Sequence, residues 1–302
     1  MWRAVAPLLK YQDRTGAVGD GVELAEGVVL KRTPAWVRNA KVDKVVNHSI
    51  HEHIQTKCPF ALQVDYEALH AFDPYEPGSA YTKRDRANFL LSEASRALWL
   101  AKPAQVGFEV VMHTSNPDDP TTSDRASEDR RRLLAHVEDA ESALDQEDFE
   151  RARQLHEALL RLDKDGTVWT ATRTLFSALA NDWGNVRFLF SWVALEALFG
   201  PDDAREMTYR LAQRIAFFLE PAGGHGTLEL RDKVTKSYRW RSKLVHGARL
   251  QGLKVEEGSR QIAEAQQLAR GALVKILLDP ALLSTFDSKG REKYLDALPF
   301  RE

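Results

Sequence analysis

Cysteine is almost missing from this chain: Cys58 is the only one in 302 residues. No intrachain disulfide can form, and a reducing, cytosolic compartment is the matching expectation. A long apolar run is also missing. Crossing a bilayer takes about 20 consecutive apolar residues, and the nearest candidate, Val186 to Phe199, is interrupted by Arg187 and Glu196. The stretch Met1 to Lys10 has no basic region leading into an apolar segment with a small-residue cleavage site, so no secretory signal is expected. Together these absences predict a cytoplasmic protein with no membrane partner. An excess of one charge is lacking too: 42 Lys and Arg stand against 44 Asp and Glu, a net charge of -2. No global positive field recruits nucleic acid, so any such binding must come from a local patch. Walker-type loops, dinucleotide fingerprints, serine-nucleophile elbows and paired carboxylates are absent, which argues against a kinase, dehydrogenase or α/β-hydrolase. Neither an internal repeat nor a cofactor-binding pattern is present, and no cofactor is expected.

What is present suits a globular protein. Hydrophobic residues make up 43% and charged residues 28%, enough to build cores without extensive disorder. The length predicts two domains. Residues 1–115 mix short β-like runs with helical pieces and predict an α+β N-terminal domain. Its expected strands are Val28 to Lys31, Phe60 to Val64 and Phe108 to Met112, bounded by Gly27, Pro34, Pro59 and Gly107. Thr82 to Ala101 predicts an amphipathic helix. The polar stretch 116–127, with two prolines and almost nothing able to pack, predicts a linker or loop. Residues 128–302 predict an all-α region and make the chain predominantly helical. The expected helices are Glu128 to Asp163, Thr170 to Asp182, Asn185 to Phe199, Ala204 to Leu219, Thr227 to Val245 and Lys254 to Leu278, punctuated by Gly166, Gly184, Gly200-Pro201 and Gly247.

One local patch stands out. From Arg231 to Arg249 seven basic residues face the single acid Asp232, a charge of +6 over nineteen positions. Within it lies Arg241-Ser-Lys-Leu-Val-His246-Gly247. An arginine five residues before a histidine occurs three times in the chain, at Arg131/His136, Arg151/His156 and Arg241/His246. The first two fall in the expected long charged helix and are read as facing solvent. The third has Tyr238 and Trp240 before it, Leu244 and Val245 as apolar anchors, and Gly247 behind it. On a regular helix five residues separate side chains by ~140°. Either the helix ends between Arg241 and His246, with Gly247 as its left-handed cap, or the site is assembled from two chains across a two-fold axis.

Forty-five residues upstream of Arg241, an apolar helix carries one embedded acid, Glu196, in Phe190-Ser-Trp-Val-Ala-Leu-Glu-Ala-Leu-Phe199. A charge in such a helix is costly unless paired, and Arg241 is the expected partner. The order of this helix, then Tyr209 to Leu219 (YRLAQRIAFFL), then Tyr238 to Gly247 (YRWRSKLVHG) resembles the Apea-like branch of the HEPN superfamily. The likeness covers about 110 residues, within about 166–282. It implies a helical HEPN bundle, homodimerisation through that bundle, and metal-independent endoribonuclease activity in toxin-like or phage-defence roles. It equally leaves room for a member that has lost catalysis and only binds RNA or protein. The family often carries Asn, Asp or His directly after the motif arginine, where this chain has Ser242.

The residue types suit RNA cleavage. Histidine titrates near neutrality and can move the 2′-hydroxyl or leaving-group proton. Arginine offers a planar, permanently charged fork to phosphate oxygens. The expected site is therefore His246 as acid/base and Arg241 as phosphate clamp, supported by Glu196 and Ser242, with Arg239, Lys243, Arg249 and Trp240 contacting RNA. The competing structural expectation is that His246 caps a helix while Arg241 only balances a buried acid. Trp169, Trp183 and Trp192 are read as core. His48, His51 and His53, near Cys58 and His70, do not share a helical face and are read as a His-rich surface segment, with no metal expected. A sensor ligand or partner at the N-terminal domain completes the expectations, with no residue assigned to it.

Overall fold

The structure is a computed structural model that describes residues 2–25, 27–39, 48–69, 83–115, 125–128, 143–201, 206–221, 224–246 and 255–300. The chain divides into two compact units, Met1–Leu160 and Arg161–Glu302.

The first unit is built on a six-stranded antiparallel sheet in the order β2-β3-β4-β1-β5-β6. Its strands are β1 (Arg3–Pro7), β2 (Val22–Glu23), β3 (Val28–Arg32), β4 (Phe60–Asp65), β5 (Val110–Thr114) and β6 (Arg125–Glu128). The three expected strands appear as β3, β4 and β5, the last shifted by two residues. Strand β1 escapes a pattern reading because its Ala4, Val5 and Ala6 are all buried and leave no apolar/polar alternation. The edge strand β6 lies in the stretch expected to be a linker. A polar segment can form an edge strand because pairing with β5 satisfies its backbone on that side.

Helices α1 (Ala35–Asn39) and α2 (His48–Lys57) contribute Trp36, Val37 and Ile54 to an apolar cluster with Val5, Ala61, Val110 and Met112. Helix α3 (Lys83–Ala101) contacts β1, β3 and β4, and α4 (Gln146–Leu160) packs on α3. Being covered on several sides, α3 buries nearly its whole length, including Arg86, Ser92, Glu93 and Ser95. Its hydroxyls return to the backbone: Ser92 donates to the Asn88 carbonyl and Ser95 to that of Val106, both at 2.7 Å. Glu93 pairs with Arg96.

One expectation is overturned in α4. His156 does not face solvent; it is fully buried. Phe149, Ala152, Leu155, His156 and Leu159 form the apolar stripe of α4 and carry the histidine into the contact with α3. Nor is Glu128 to Asp163 one helix, since Glu128 ends β6 and residues 143–145 are not helical. The Arg131/His136 pair lies outside the described residues.

The second unit is helical: α5 (Thr167–Leu179), α6 (Gly184–Phe199), α7 (Met207–Leu219), α8 (His225–Val245), α9 (Val255–Leu277), α10 (Pro280–Phe286) and α11 (Arg291–Ala297). The first five match the expected helices within a few residues. Helix α6 sits centrally, against α5, α7, α8 and α9, and buries Phe188, Trp192, Leu195, Leu198 and Phe199. The unit continues through α10 and α11. Phe286 joins Phe199, Phe218 and Tyr294 at ring separations of 5.4–6.0 Å. Arg214, itself buried, is held by Glu292 at 2.8 Å and Asp296 at 2.7 Å. Among the described residues no helix is long and apolar enough to cross a membrane.

The buried His156 makes the first unit sensitive to acid. Burial pushes its pKa down from 6.5 to about 4, opposed by the Glu93 carboxylate and reinforced by the Arg86 guanidinium. The unfolded chain therefore takes up this proton first. The stability that depends on neutral His156 is complete above pH 6.5 and is lost as pH falls towards 4. The melting temperature of the full chain should drop across that window, by the equivalent of at most on the order of 3 kcal/mol. His156→Leu should flatten that slope; an unchanged slope in the variant would trace it to other groups.

Candidate functional site

The basic patch falls on α8, whose backbone stays helical from His225 to Val245. The helix ends at Val245, immediately before His246. His246 is the C-cap, and its N–H donates to the Ser242 carbonyl at 3.3 Å, an ordinary helical contact. Gly247, expected to terminate the helix, and Arg249, expected to contact RNA, lie outside the described residues. The ~140° separation given by helical geometry therefore applies.

The two sides of α8 carry different chemistry. Val234, Ser237, Tyr238 and Leu244 are buried, and Arg241 follows them inward. Lys236, Arg239, Lys243 and His246 are all exposed, at successive spacings of 3, 4 and 3 residues, and so lie along one opposite face. Within one chain His246 thus belongs with the basic row and not with Arg241.

Arg241 is held by the acid expected from the sequence. Its Nη2 donates to Glu196 Oε2 at 2.7 Å, with side-chain exposures of 24% and 20%. The pair spans the contact between α6 and α8, where the Trp192 and Tyr238 rings meet edge to face at 5.2 Å. The Tyr238 ring also lies 5.6 Å from the Arg241 guanidinium carbon, within cation–π range. Burial, and after it the neighbouring Glu196 carboxylate, pushes the Tyr238 hydroxyl up to about 12. The phenol is therefore protonated at neutral pH and faces the carboxylate as a potential donor.

The remaining expected residues are distributed as follows. Trp240 is half-buried, and the exposed Lys243 holds its ammonium 4.5 Å from the ring centroid, so that ring is reachable from solvent. Ser242 is half-buried and contributes its backbone carbonyl to the helix end. Of the tryptophans expected in the core, Trp192 is fully buried. Trp169 is half-buried with Arg173 stacked at 3.8 Å, and Trp183 is 73% exposed at the start of α6. Trp183 precedes the first helical turn, where no neighbouring helix among the described residues covers it. In α2, His53 Nε2 contacts the Leu9 carbonyl and His51 contacts Gln55 at 3.0 Å. His70 is outside the described residues, and no cluster of His, Cys, Asp or Glu suited to a metal ion occurs among those described. Tyr238 and Lys236 were not among the site residues expected from sequence. Counting three residues back from Arg241 and from Arg239 along a helix would have identified both.

Removing the carboxylate while leaving the guanidinium should cost stability. Glu196→Gln is expected to destabilise the chain by about 1–2 kcal/mol in urea unfolding. Arg241→Met should cost less in the Glu196→Gln background than in wild type; strictly additive losses would deny that the pair is coupled.

The chain matches no protein-family model, no curated protein and no solved structure.

Proposed function

We propose that the helical unit is a metal-independent HEPN-type endoribonuclease of the cytoplasm, acting as a homodimer in a toxin-like or phage-defence setting. The observation that carries this reading is the exposed His246, ending α8 on the same face as Lys236, Arg239 and Lys243. A titratable imidazole at the end of a cationic row is where a phosphodiester would be both held and cut. Arg241 points the other way on its own chain, so a complete site pairs Arg241 of one subunit with His246 of the partner subunit. Association of two copies is supported by exposed apolar residues at and just before α6: Trp183, Phe190 and Val193, at spacings of 7 and 3 residues, are 73%, 40% and 41% exposed. Exposed apolar faces of this kind mark association sites.

In the proposed reaction one histidine takes the proton of the RNA 2′-hydroxyl, and the oxygen attacks the adjacent phosphorus. The P–O5′ bond breaks, a 2′,3′-cyclic phosphate forms, and a histidine returns a proton to the departing 5′-oxygen. Arginine neutralises charge on the equatorial oxygens of the transition state. Lys236, Arg239 and Lys243 neutralise flanking phosphates, and Trp240 offers a ring to an unstacked base.

A second reading, an RNA-binding or protein-interaction module without catalysis, is favoured by one observation. Arg241 is half-buried and already engaged by Glu196, an arrangement that is sufficient as core structure.

Cleavage in the presence of a chelator separates the two. His246→Ala should abolish it while leaving melting and oligomeric state unchanged; a variant that cuts like wild type removes His246 from the chemistry. Mixing Arg241→Ala with His246→Ala chains should restore activity to about a quarter of wild type, since half of random dimers then carry one intact site of two. No recovery on mixing would contradict a site shared between subunits. For binding, replacing Lys236 or Arg239 with Ala should lower the salt dependence of RNA affinity by roughly one phosphate contact each. An unchanged slope would show that the α8 row does not meet the backbone.

A further inference from the structure

Arginine is a poor clamp when its long side chain wanders, because each flexible bond must be frozen before the fork can meet a phosphate. Arg241 is not in that situation. Its guanidinium is tied at Nη2 to Glu196 at 2.7 Å and lies 5.6 Å from the Tyr238 ring centroid. Its Nε is buried with no hydrogen-bond partner among the described residues. The ring that faces it is itself packed: Tyr238 is buried and meets the fully buried Trp192 edge to face at 5.2 Å. Tyr238 and Arg241 are three residues apart on α8, so the helix itself sets their spacing.

We propose that Tyr238 is the positioning residue for Arg241, its ring covering the guanidinium and its hydroxyl steadying the Glu196 carboxylate so that the fork is oriented before a phosphodiester arrives. This rests on the ribonuclease reading for its purpose, though not for its geometry. Two parts of one side chain act on the two halves of an ion pair, and each can be removed separately. Tyr238→Phe deletes only the hydroxyl, and Tyr238→Leu deletes the aromatic face as well. The Coulomb attraction of a partly buried ion pair does not by itself hold the two side chains in one geometry. Its order must come from what packs around it, and Trp192 and Tyr238 are that packing.

The test uses the full chain labelled with 15N-arginine, with the Arg241 Nε–Hε resonance assigned by its loss in Arg241→Lys. In wild type the resonance should be displaced by the Tyr238 ring and slow to exchange. Tyr238→Phe should keep the displacement but exchange faster, and Tyr238→Leu should move it into the bulk arginine envelope. Against a single-stranded RNA oligonucleotide with chelator, kcat should fall roughly tenfold in Tyr238→Leu, with KM within about twofold and Tyr238→Phe in between. An Arg241 resonance unmoved in natively melting Tyr238→Leu would overturn the proposal. If that variant does not fold, unchanged exchange in Tyr238→Phe would do the same. Should wild type cut no RNA, the ribonuclease reading falls, while the resonance still decides whether Tyr238 positions Arg241.

Discussion

The arrangement around α8 depends on one constraint: an unbroken helix turns about 100° per residue and so cannot present positions 241 and 246 to the same neighbour. Burial of Val234, Tyr238 and Leu244 fixes which side of α8 faces inward, and Arg241 on that side meets Glu196. With that side turned inward, helical geometry sends His246, Lys243, Arg239 and Lys236 to the opposite side.

That pair is workable because of the helix that supplies the acid. Nearly every inward position of α6 is apolar, and Trp192, one turn before Glu196, fills the space against Tyr238. A carboxylate among such neighbours is tolerated only with a counter-charge. The counter-charge must also come from outside α6, whose sole basic residue is Arg187, near the other end of the helix. Arg241 meets both demands. The result is an arginine that is charged, partly reachable and restrained, which serves equally as core structure and as a preset phosphate clamp.

The N-terminal unit handles buried polarity in a different way. Its α3 is enclosed by strands and by α4, so polar side chains along α3 must find partners inside the unit. Two serines return to backbone carbonyls and Glu93 takes Arg96. His156 answers the same burial by staying neutral, which ties the packing of α4 to pH.

The helical half was largely legible in the sequence, because amphipathic periodicity and glycine breaks are local signals. Gly166, Gly184 and Gly200 mark the ends of α5 and α6 nearly where they fall. The Glu196–Arg241 pairing was legible too, since an acid in an apolar helix demands a partner. Strands β1 and β6 were not, because a strand buried on both faces has no alternation and an edge strand is defined by its neighbour. Nor was the burial of His156, which depends on how closely α4 packs on α3. What the sequence determined by itself was which residues have local reasons to be helical, apolar or charged. Which side of α8 faces inward, and hence that Arg241 and His246 diverge, was decided only by tertiary packing, because a helix has no inside until another element covers one of its faces.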